Sequence, residues 1–387
     1  MGFIDADAHG TETGRQTWSY FDPKEREYAP PESGPWYFEG TVHAVEQARD
    51  ARSGTEAQAQ LQPLSPEQKA QQVTQQFNAG FYPPGCRDLS NVPARLAHMD
   101  QLGVDVQCVY STFWLIDPVR NAMREAAMAR SYNRWCAEGT KASNGRLRWF
   151  IKVPGRTMER AMEEIEFGAK NGAVGVEFTG YKYNIAPGDP YWYPIYQKCQ
   201  DLGLMIGFHI GASWDDYFPF PKDTHYRTLS RVPGAFASLV AWDVPKKYPN
   251  LKFAFTEAGA SWLPFMLELL FRGQRDAALR HWGQDWRKMG ADYMADEGHN
   301  LFAACYMDDD PTFIASIAGS DCLMLGTDYT HFDVGSDPDG LRITAARTDI
   351  SKDLKLKVLD LNARRCHNIP ASFRPAEKAA QLALAAR

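Results

Sequence analysis

The sequence of 387 residues has seven cysteines and no CxxC pair among them. Cysteine zinc sites and iron–sulfur clusters are therefore excluded, and the thiols read as reduced and mostly buried. No stretch reaches the roughly 18 continuous apolar residues that a membrane helix needs. The N-terminus lacks a basic start followed by an apolar run, so no signal peptide is expected. Runs of Lys/Arg are missing too, and a net charge of −6 gives nucleic acid no electrostatic footing. Together these absences predict a soluble, cytoplasmic protein. No glycine-rich phosphate loop follows the first apolar run, and no flavin or nicotinamide motif is visible.

What is present is a repeated alternation. Eight short β-branched or apolar runs recur, each followed by a longer helical pattern. They are Phe3–His9, Val104–Ser111, Arg146–Pro154, Ala173–Gly180, Leu204–Gly211, Leu251–Gly259, Leu301–Met307 and Cys322–His331. In "PARLAHMDQLG" and "TMERAMEEIEFGAKNG" apolar residues return every three or four positions and a glycine closes the helix. Eight such units predict an α/β protein, a (β/α)8 TIM barrel, rather than an open doubly wound sheet. The expected domain is residues 1–370, with an insertion after strand one at about 10–92 and a helical tail over 371–387. The insertion reads as a lid or an oligomer contact.

Barrels of this type place their active sites at the C-terminal ends of the strands. Strand one ends in Asp7 and His9, with Glu12 just beyond; strand five ends in His209 and strand six in Glu257. Strand eight carries Asp328 followed by His331, and strand four offers Glu177. Strands two, three and seven show no comparable ligand. Asp7 and His9 are two apart and so face the same side. His225, in the loop after strand five, is either a further ligand or an acid–base group. Each has a plainer reading: Asp7–His9 as a structural pair, Glu257 orienting a histidine, Glu12 capping a turn, His331 bonded to Asp333. Trp214, Tyr181, Trp262 and Tyr306 are expected to line the pocket. One ion takes about four protein ligands, so seven or eight donors predict two divalent ions per chain. Mixed carboxylates and imidazoles suit Fe, Mn or Zn.

"IDADAH", "GFHIG", "FTEAG" and "GTDYTH" occur in that order, with "ARLAHMDQLGVD", "VPKKYPNLKFAF" and "LNARRCHNI" between or after them. This set resembles the amidohydrolase-related branch of the amidohydrolase superfamily, which includes metal-dependent decarboxylases. The departures are an Asp-x-His where the founding pattern has His-x-His, no bridging lysine in "AVGVEFTG", and Glu257 where the decarboxylases often carry a histidine.

The carboxylate-rich variant resembles the TIM-barrel nonheme dinuclear iron oxygenases. That resemblance implies Asp7, His9, His209 and Asp328 on one metal, with Glu12, Glu257, His331 and His225 on or bridging to the second. It implies an Fe/Fe or Mn/Fe monooxygenase that hydroxylates an unactivated C–H bond of a small organic substrate. Such an enzyme draws on O2 and an external electron donor or reductase, and assembly with itself or a related barrel subunit is expected. The alternative is a Zn- or Mn-dependent hydrolase or nonoxidative decarboxylase, with His225 or Asp328 as the acid–base group.

Overall fold

All eight apolar runs become strands, and they pair side by side in chain order. In the computed structural model, which describes residues 2–12, 14–29, 82–115, 121–211, 231–278, 286–331, 335–373 and 375, the strands are parallel throughout. They are β1 (Phe3–Gly10), β2 (Val104–Ser111), β3 (Leu147–Ile151) and β4 (Gly175–Phe178). β5 (Met205–Phe208), β6 (Phe253–Phe255), β7 (Leu301–Cys305) and β8 (Leu323–Leu325) complete the set. The ring closes where Ala8 bridges Tyr329 and the amides of His9 and Asp328 donate to Tyr329 O and Asp7 O at 2.9 Å. The chain is a (β/α)8 TIM barrel. Among the described residues no helix is long and apolar enough to cross a membrane.

Every strand is covered on both faces, which is why the strands read as apolar runs rather than alternating ones. Ile4, Ala6, Val106, Phe150, Phe302 and Met324 pack together inside the barrel, and Ala363, Cys366 and Ile369 close its lower end. A larger apolar layer lies between the sheet and the surrounding helices. Helix Val92–Leu102 shows the local logic. The Asn91 side chain caps its first turn, and Gly103 ends it at φ +76°, turning the chain into β2. All seven cysteines are buried and unpaired.

One irregularity positions the site. The pairing of β1 with β2 slips between Asp5 and Ala8, so β1 carries a bulge there. Below it Ile4 and Ala6 join the apolar interior, and above it the inward parity passes to Asp7 and His9. Strict alternation would have kept one parity for the whole strand.

Candidate metal centre

Six buried side chains converge at the mouth of the barrel: Asp7 and His9 from β1, His209 after β5, Glu257 after β6, and Asp328 and His331 after β8. They form two overlapping groups of four, Asp7–His9–His209–Glu257 and His9–Glu257–Asp328–His331. Within each group the ligand atoms all lie within 4.8 Å of one another. His209 Nε2 is 2.8 Å from Glu257 Oε2 and 3.4 Å from Asp7 Oδ1. His9 Nε2 is 3.0 Å from Asp328 Oδ1 and 3.6 Å from Asp7 Oδ1. His331 Nδ1 is 2.7 Å from Asp328 Oδ1. These six atoms are fully buried, yet none makes a hydrogen bond of normal geometry. Orphaned donors and acceptors at this density are costly. A cation would satisfy them all.

The protein fixes which nitrogen of each imidazole faces the centre. His9 Nδ1 sits 2.6 Å from the Ser111 carbonyl and must donate to it, leaving Nε2 as a lone pair. His209 Nδ1 lies 3.0 Å from the Ile210 carbonyl, with the same consequence. His331 is reversed: its Nε2 meets Thr112 Oγ1 at 3.0 Å, and its Nδ1 points inward. The Thr112 hydroxyl gives its own proton to Gly10 O at 3.3 Å, so it accepts from the histidine.

Charge enforces the same picture. Burial works against a protonated His9, but Asp328 and Asp7 outweigh it and push His9 up to about 10. His209 rises well above its ordinary value, since Glu257 and Asp7 overcome its burial. Asp328 is desolvated too, yet His331 and His9 hold it well below the usual carboxylate range. Glu257 goes the other way, pushed up to about 7 by burial and the charge of Asp328. Without a metal the histidines must take up protons to balance the acids. A divalent cation replaces those protons directly.

Backbone geometry shows the site is imposed rather than relaxed. Glu257 and Asp328 both sit in the left-handed region, at φ +53° and +51°. The Glu257 carbonyl accepts a 2.8 Å bond from the Tyr306 hydroxyl, and the Asp328 carboxylate accepts one from Ser336. Gly326 is required as glycine, because a Cβ there would lie 2.3 Å from the Cβ of Asp7.

Not every expected donor joins the cluster. Both oxygens of Glu12 accept backbone N–H groups, from Thr112 at 3.0 Å and Trp114 at 2.8 Å, and Glu12 belongs to neither group of four. Glu177 is bonded to Ser111 and Lys152 instead. His225 and Trp214 lie outside the described residues. Of the aromatics, Tyr306 touches the Glu257 peptide, whereas Trp262 packs against Phe236 and Phe255 and Tyr181 stands 37% exposed. Lys152, just past β3, escaped the sequence reading altogether. A lysine one residue beyond a strand signals nothing until Glu177 is seen 2.8 Å away.

The family model for amidohydrolases matches residues 4–368. Among curated proteins no match is found. Solved structures with the same fold include an amidohydrolase from Mycobacterium avium subsp. paratuberculosis, at 18% identity and TM-score 0.66, covering 95% of this chain and 99% of that one. The 5-carboxyvanillate decarboxylase of Novosphingobium aromaticivorans, complexed with manganese and 4-hydroxy-3-methoxy-5-nitrobenzoic acid, shares 17% identity at TM-score 0.65, over 95% and 96%. The 4-oxalomesaconate hydratase of Rhodopseudomonas palustris shares 18% at TM-score 0.54, over 99% and 98%.

These comparisons correct the expected function. The chain aligns with amidohydrolases, decarboxylases and a hydratase, so the nonheme iron monooxygenase, and with it the oxidoreductase assignment, is overturned in favour of the hydrolase or decarboxylase alternative. One donor behind the oxygenase reading is used elsewhere: Glu12 is spent on backbone amides and belongs to neither group of four. The need for O2 and an electron donor was conditional on that reading and falls with it.

Proposed function

The chain belongs to the amidohydrolase family, and from that membership we propose a divalent-metal-dependent enzyme of redox-neutral chemistry, a nonoxidative decarboxylase of a small organic acid. The observation that carries the reading is the convergence of six buried, unpartnered donor atoms at the C-terminal mouth of the barrel. Asp7, His9, His209 and Glu257 would hold one ion, and their mixed oxygen and nitrogen donors suit Mn²⁺ or Zn²⁺. When bound, that ion supplies Lewis acidity toward a carboxylate or carbonyl oxygen. Asp328 and His331, 2.7 Å apart, are then left as an acid–base pair in which Asp328 Oδ1 is the ionised, proton-accepting oxygen. The buried walls exclude water, and the left-handed backbone at Asp328 aims that carboxyl into the mouth. The manganese-bound decarboxylase of the same fold supports this choice over hydrolysis.

Elemental analysis and turnover of a panel of hydroxybenzoic and unsaturated carboxylic acids test the proposal. One Mn²⁺ or Zn²⁺ per chain is expected. CO2 should be released equally with and without oxygen, lost on chelation and restored by Mn²⁺. Turnover that requires oxygen, or a chain that binds no divalent ion, would end it.

A further inference from the structure

Behind His9 lies a second set of buried charges that ligates nothing. The last residue of β2, Ser111, offers its carbonyl to His9 Nδ1 at 2.6 Å, the bond that selects Nε2 as the ligand atom. The same residue is gripped from the other side by Glu177 of β4. Ser111 N–H donates to Oε2 at 3.0 Å and Ser111 Oγ–H to Oε1 at 2.8 Å. Lys152 completes the grip, donating from Nζ to Glu177 Oε1 and to Trp114 O, both at 2.8 Å. Lys152 is itself fixed, since Asn133 accepts from its N–H and donates to its carbonyl, both at 2.9 Å. Glu177 is 3% exposed and Lys152 5%, so neither charge answers to solvent or to substrate.

We propose that the Lys152–Glu177 pair is a positioning device for the metal: through Ser111 it fixes the tautomer and direction of His9, and so sets the affinity of the centre. The inference rests on the metal reading above. An isolated buried ion pair is weak support for stability, because desolvation offsets its attraction, and apolar replacements of similar volume often cost nothing. This pair links β4 and the end of β3 to Ser111 of β2, whose carbonyl holds His9 Nδ1. Outer partners of that kind change metal affinity by roughly 10- to 100-fold.

The test uses the full chain, with Mn²⁺ titrated against a competing chelator. The double variant Lys152→Met/Glu177→Gln removes both charges at once, so the net charge of the region is unchanged and no buried charge is stranded. It should bind Mn²⁺ roughly 10- to 100-fold more weakly while unfolding at a temperature close to that of the wild type. Ser111→Ala removes only the hydroxyl bond to Glu177 and should lose affinity a few-fold. This milder variant keeps the experiment decisive if the double variant fails to fold. Wild-type affinity in a folded double variant, or in Ser111→Ala should the double not fold, would overturn the inference and leave the metal reading intact. A wild-type chain that binds no Mn²⁺ at all would sink both.

Discussion

Two buried polar regions lie side by side at β1, and they solve the same problem differently. Below the bulge, Asp5 accepts from Thr327 N at 3.0 Å and Thr327 Oγ1 at 2.6 Å, and from Gln107 Nε2 at 3.2 Å. Gln107 in turn accepts from Arg95 Nε at 2.9 Å, and Arg95 Nη1 donates to the carbonyls of His9 and Cys86. The Arg95 guanidinium also lies 4.8 Å over the Tyr329 ring. Two residues further along the same strand, Asp7 Oδ1 has no hydrogen bond at all, nor have the five donors around it. Apart from Arg95 Nη2, which is buried without a hydrogen bond, the first region satisfies its polar atoms internally; the second keeps six together for a cation. Burial alone does not separate the two, since Asp5, Asp7 and His9 are all within 2% of complete burial. The difference is saturation, and it marks the functional region.

Substitutions should separate the regions in that order of size. His209→Ala breaks the unsaturated cluster, and kcat/KM should fall at least 1,000-fold, about 4 kcal/mol, with loss of bound metal seen by elemental analysis. Arg95→Met does the reverse. Urea unfolding should show a loss of about 3–5 kcal/mol, while the folded fraction still carries its metal. A metal-free Arg95→Met protein of normal stability would erase the distinction.

Glu12 sharpens the contrast through pH. Burial pushes this carboxyl up to about 7 against the two amide bonds it accepts, with Glu177 adding to the rise. A carboxyl raised above its unfolded value of 4.5 contributes its full stability below that value, and loses it as the pH climbs through 7. Glu12→Gln cannot ionise, so its stability relative to the wild type should improve by about 3 kcal/mol between pH 4.5 and pH 8. Chemical denaturation of the metal-free proteins at both pH values would reveal a flat difference if Glu12 behaves ordinarily. The smallest effect is expected from Tyr306→Phe, which removes one bond to the Glu257 carbonyl. About 1 kcal/mol of stability and a few-fold drop in kcat/KM should follow, read by thermal unfolding and steady-state kinetics.

Much of the barrel and its rim was legible beforehand. The eight apolar runs and their order need only the burial of both strand faces, and seven of the runs contain their observed strand while β1 extends one residue past its run, to Gly10. Asp7, His9, His209, Glu257, Asp328 and His331 stood out because strand ends face the mouth in this architecture. Glu12 shows where that rule stops. It lies two residues past β1, and its distance along the chain does not say whether it turns to the centre or to the amides of Thr112 and Trp114. Lys152 and Glu177 were opaque for a related reason: their partnership crosses from β3 to β4 and becomes visible only when the strands are paired. His367 is buried as well, because the final helical segment folds under the barrel, a placement that its position in the sequence does not give.

The sequence by itself determined the barrel and the residue types at its mouth, since strand burial and helix periodicity are local properties that a linear pattern carries. Only the tertiary structure decided which of the acids converge on the candidate metal centre and which are struts. That depends on a one-residue bulge in β1 and on hydrogen bonds between strands far apart in the chain. Whether a buried carboxylate is satisfied is a property of its neighbours in space, and no spacing along the chain encodes it.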